Sequence, residues 1–151
     1  HILLALLGSV LALAHSTRRH IARVRRKRAR RIEHRPDGAS HDLAPMFAAL
    51  NQEYFGGRLR CPRLGWSKRA WTSQFGCFDP SLNQIVMNRR LDSPDVPSYA
   101  VEMILYHEML HVKHPLRAAA CGLQAHSPEF RAEEKRFREY ARARKFLEHF
   151  R

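Results

Sequence analysis

Cysteine is scarce in this chain of 151 residues: Cys61, Cys77 and Cys121 are the only three. They are odd in number and far apart, which excludes a disulfide framework. No two are spaced Cys-x-x-Cys, which excludes a thiolate zinc ribbon. Such usage fits a reducing compartment, so a cytoplasmic protein is the expectation. Long apolar runs are missing as well. The longest, Ile2 to Ala14, has 13 residues, against the ~20 that a membrane span needs. Its positive charge follows it, the reverse of a signal peptide. A membrane-tethered protein, with residues 2–14 as part of an anchor, is the lesser alternative. Acid is also in short supply, with 14 Asp and Glu against 27 Lys and Arg, for a net charge of +13. What is present otherwise is ordinary: 44% hydrophobic and 27% charged residues make one globular domain with a core, not a disordered chain.

The charge is unevenly placed. Residues 1–40 hold ten basic groups, all between 18 and 35, and two acids, for +8; residues 41–151 account for +5. Ser16 to Arg35 is arginine-rich with sparse apolar points at Ile21, Val24 and Ile32, which suits a solvated helix. It reads either as a patch for DNA or an anionic surface, through residues 18–35, or as a charged helix packing one thin stripe. Pro36-Asp37-Gly38 breaks the pattern, so residues 1–40 are an extension and linker and 41–151 the domain.

Within that domain, Leu43, Phe47, Leu50 and Tyr54 recur at helical spacing after Asp42, a suitable N-cap, and Gly56-Gly57 ends the helix. Short β-like runs follow at 63–66, 71–78 and 84–88, the last two joined by a turn at Asp79-Pro80-Ser81 and Asn83. Ser98 to His114 is apolar nearly all round, which predicts a buried helix capped by Ser98 and stopped by Pro115. After a loop, a last helix starts at Ser127-Pro128-Glu129, with Phe130, Phe137, Tyr140, Ala141 and Leu147 as its core stripe. Helices with a few short strands amount to an α+β fold.

The buried helix carries His107-Glu108-Met109-Leu110-His111. Residues i and i+4 share a helix face, so two imidazoles can grip one zinc ion while the glutamate deprotonates a water polarised by it. With ten His and nine Glu in the chain, roughly 0.04 accidental matches to H-E-x-x-H are expected. Two histidines and a glutamate on an apolar helix also cost several kcal/mol unless paired or metal-bound. A third ligand is required. His114 lies at the helix end, seven residues from His107, and suits a dipole-favoured terminus better. His126, held before the Ser127-Pro128 cap, is the favoured candidate.

Residues 42–150 resemble the SprT-like (SprT/Spartan) family of zinc metallopeptidases. The carrying segments are DLAPMFAALNQEYFGGRL, GWS, FGCFDPSLNQIVMNRRLD, VEMILYHEMLHVKHP and HSPEF. The resemblance implies a minimal zincin-like fold, with a small antiparallel or mixed sheet packed on the active-site helix. It implies a zinc metallopeptidase with His107, His111 and His126 as ligands of Zn2+ and Glu108 as base, acting on a protein or peptide substrate. The cysteine ribbon that many members add is not expected here, so a role on DNA-crosslinked proteins is not carried over intact. Two other functions stay open: a DNA-associated protein acting on DNA-bound proteins through its basic arm, and a non-catalytic zinc-binding module.

Around the site the readings are broader. The 84–88 strand is expected to be the edge that an extended substrate joins. Trp66, Trp71 and Phe75 line either the cleft or the core. Glu102 and Glu129 either hold the histidine rings or are surface carboxylates. Cys77 and Cys121 are expected to be buried small hydrophobes rather than ligands.

Overall fold

The computed structural model describes residues 34–115, 117–119 and 122–150, the side chains of 117–119 and 122–124 excepted. The apolar run over 2–14, the basic run up to Glu33, and Cys121 lie outside the described residues. Among the described residues, four α-helices and a three-stranded mixed sheet make up an α+β fold, as expected. The first helix, α1 (Leu43–Phe55), starts where Asp42 accepts from the Ala44 N–H and ends at Gly56, whose φ of 61° is the left-handed turn that glycine adopts without strain.

Strand β1 (Arg63–Trp66) pairs in parallel with β3 (Gln84–Met87), and β3 pairs antiparallel with β2 (Gly76–Asp79). The 84–88 strand is therefore central, not an edge, because β1 occupies its second side. The edge packed against the helix over 98–113 is β2. Its N-terminal reach is shorter than the expected run from 71. Asn88, almost wholly buried, donates to the carbonyls of Trp71 and Gln74 and accepts from the Trp71 N–H, holding 71–74 as a loop. A second hairpin, β4 (Arg117–Ala119) with β5 (Gly122–Gln124), stands where only a loop was expected.

The core forms around α2 (Ser98–Lys113), which buries Ala100, Val101, Met103, Leu105, Tyr106, Met109 and Leu110. Pro97, not Ser98, takes its N-cap place, and no side chain caps it. The expected last helix is two: α3 (Pro128–Glu134) and α4 (Tyr140–His149). No proline or glycine causes the break. Phe137 is drawn into the core, its ring 5.7 Å from Tyr106 and 6.0 Å from Tyr54, and Arg138 pairs with Glu53 and Glu102. The new register in α4 buries Ala143 and leaves Ala141 exposed. Among the described residues, no helix is long and apolar enough to cross a membrane.

Residues 34–41, which include the Pro36-Asp37-Gly38 breaker, are hydrogen-bonded into this body. Trp66 donates its Nε1–H to the Pro36 carbonyl at 3.1 Å, so Trp66 is a core residue and not part of the cleft. Asp92 accepts the N–H groups of Ala39, Ser40 and His41 at 2.7, 2.8 and 3.0 Å. Partial burial works to raise the Asp92 carboxyl, but those three donors outweigh it and hold it below its ordinary range. Its stabilising contribution is thus fully present above the unfolded value of about 3.9 and fades as pH falls through the lower folded one. Asp92→Ala is expected to cost about 1–2 kcal/mol at neutral pH. Thermal unfolding should show that deficit, and it should shrink in acid as the wild-type carboxyl protonates; a deficit independent of pH would contradict this account.

Candidate active site

The exposed-side turns of α2 bring His107 and His111 to one face, and the Ser127 cap turns His126 toward them. Ser127 Oγ accepts from the Phe130 N–H at 3.1 Å, with Pro128 in the first turn, so the chain enters α3 in a fixed direction. The three Nε2 atoms lie 3.2 Å (His107 to His111), 3.3 Å (His107 to His126) and 3.2 Å (His111 to His126) apart. Phe130, 1% exposed, is the floor beneath them. Its ring centroid is 5.1, 4.7 and 4.9 Å from those of His107, His111 and His126.

The electrostatics favour neutral rings at His111 and His126. Burial, reinforced by the neighbouring His107 and His126, pushes His111 down to about 4. Burial and His107 also lower His126. His107 donates from Nδ1 to Glu134 Oε1 at 2.6 Å, which leaves its Nε2 lone pair facing the other two rings. Three nitrogens with lone pairs, close enough to repel one another, form a group that could hold a metal ion.

Glu108, the next residue along α2, packs against Gly76 of β2 and is 5% exposed. Burial pushes its carboxyl up to about 7, against the smaller opposing effects of His107 and the Phe78 backbone. A Cβ added to Gly76 would stand 2.8 Å from Glu108 Oε1 and 2.9 Å from its Cγ. The strand can approach the carboxylate only because residue 76 has no side chain.

Two concavities meet at His107, Glu108 and His126. One, of about 460 Å³, runs past Phe75, Ile104 and Leu147 to Arg144 and Glu148. The other, of about 690 Å³, is more apolar and is lined by Phe78, Pro80, Val112 and Pro115. Phe75 thus belongs to the cleft, while Trp71 borders a smaller neighbouring hollow.

The other side chains singled out from the sequence take the following places. Glu102 is taken up by Arg138 at 2.8 Å and holds no histidine ring. Glu129 stands in the first turn of α3. Glu134, missed by sequence reasoning, is the carboxylate at His107; a count of one or two helical turns on from His126 could have found it. His114 caps α2 and contacts Glu133 at 3.0 Å, outside the three-ring group. Cys77 is half-buried at the rim of the larger concavity and outside that group too, its thiol pushed up chiefly by burial. A family model described as the SprT-like family matches residues 43–146 of the chain. Comparison with curated proteins and with solved structures gave no significant match.

Proposed function

The chain belongs to the SprT-like family, and from that premise we propose that it is a zinc-dependent metallopeptidase hydrolysing peptide bonds. The single observation that carries the reading is the convergence of His107, His111 and His126 within 3.3 Å of one another. A tetrahedral ion bound at the usual Zn–N length of ~2.0–2.1 Å separates its ligand nitrogens by ~3.3–3.4 Å, so the spacing fits zinc, and three protein ligands leave one place open. Bound there, zinc supplies Lewis acidity for the scissile carbonyl and for a water molecule.

The chain's own groups do the rest. Glu108, in reach of both concavities, takes the proton from the attacking water and passes it to the leaving amine; a carboxyl raised to about 7 is well matched to both transfers. The β2 edge offers backbone groups to an extended protein or peptide substrate, which would add as a further strand above the helix. The exposed free thiol of Cys61 suits a reducing compartment. Ten basic groups between 18 and 35 support a second element, an arm that holds DNA or another anionic surface, with the peptidase acting on proteins bound there.

Metal content and cleavage of an unfolded protein test the reading together. The expected result is one zinc per chain and activity lost on chelation and regained with zinc. His126→Ala should weaken zinc by more than about 100-fold, beyond the cost of losing a supporting partner. A wild-type chain without zinc affinity, or a variant holding zinc as tightly, overturns it.

A further inference from the structure

Helix α3 carries two consecutive carboxylates with different partners. Glu133 accepts from Lys113 Nζ at 2.7 Å and contacts His114 Nε2 at 3.0 Å, and its backbone carbonyl accepts the Tyr106 hydroxyl at 2.9 Å. Those contacts dock α3 on the end of α2. Glu134, one residue on, reaches the cleft wall and accepts the His107 Nδ1–H at 2.6 Å, with its side chain 15% exposed. That is at the short end for a charge-assisted N–H···O bond.

We propose that Glu134 is a positioning residue for metal binding. By taking the Nδ1 proton it fixes the tautomer in which His107 Nε2 is a lone-pair donor, and it holds the ring at the angle that meets His111 and His126. The inference rests on the reading of the three histidines as metal ligands. It goes beyond that reading because it names a residue outside the ligand set on which affinity depends. The placement also explains why a seven-residue helix is so heavily tied down. The same short element presents His126 ahead of its first turn and Glu134 at its last residue, so fixing α3 fixes one ligand and the support of another.

The test is zinc affinity of the full chain, measured by competition with a chromogenic chelator, beside the thermal stability of the metal-free protein. Glu134→Ala should bind zinc about 10–100-fold more weakly than wild type. Glu134→Gln keeps an oxygen acceptor without the charge and should lose less. Glu133→Gln, which loosens docking and leaves the Nδ1 acceptor in place, should keep zinc affinity within about threefold even where it lowers thermal stability. Cobalt in place of zinc gives a second readout, since a rotated His107 ring changes the visible ligand-field bands. If Glu134→Ala fails to fold, Glu134→Gln decides. Wild-type affinity in the Glu134 variants, or equal losses in Glu133→Gln, overturns the proposal while leaving the metal site standing. Failure of the wild-type chain to bind zinc overturns both.

Discussion

Glu108→Gln is expected to lower peptide cleavage by about 10²–10⁴-fold, the range set by loss of a general base, and to leave zinc content unchanged. The substitution is close to isosteric, so Gly76, which approaches the side chain, need not move. None of the three imidazoles is bonded to Glu108, and the contact that orients His107 comes from Glu134. An amide at a 5% exposed position also costs less to desolvate than a carboxylate, so thermal stability should hold or rise. Zinc assay, melting curve and cleavage of an unfolded protein, run on one preparation, separate the possibilities. Cleavage at the wild-type rate would mean a non-catalytic metal module or a different base.

Gly76→Ala is expected to cost about 100-fold in turnover with little effect on folding or metal. The new methyl would lie 2.8 Å from Glu108 Oε1, 2.9 Å from Cγ and 3.0 Å from Ile104 Cγ2, closer than atoms of these types sit. The carboxylate is the movable member of that group, since β2 is paired along its length with β3. Displacing it by about 1 Å is the kind of error that costs 10²-fold at a reacting centre. A variant that loses zinc or unfolds at room temperature would show that the strand, not the carboxylate, gave way. Wild-type kcat would show that Glu108 need not stand where it does.

The helical part of this molecule was largely legible. Apolar spacing over 43–55 and the all-round apolar run over 98–114 gave α1 and α2 within a residue or so, because each pattern reflects one helix against one core. The His107, His111 and His126 grouping followed from an i, i+4 pair and a cap. Strand order was a different matter. Nothing local distinguishes a central from an edge strand four residues long, and β1 inserts beside β3 through a pairing that skips β2 in the chain. The break at 135–139 was equally hidden, since its residues favour helix and only the packing of Phe137 and the ion pairs of Arg138 oppose it. Glu134 lies before that break, at the last residue of α3, and the face of so short a helix that meets His107 is set by tertiary packing rather than by local pattern.

The edge position of β2 bears on self-association as well as on the strand addition proposed for a substrate. An exposed strand edge templates any extended chain, including other copies of the same protein. Here the row is four residues long, from Gly76 to Asp79. It is followed at once by Pro80, which has no N–H to give. Trp71 to Gln74, pinned as a loop by Asn88, stops it at the other end. The edge is long enough to register a few residues of a guest strand and too short for stacking to propagate, so the open side of the sheet carries little risk of growing into an aggregate.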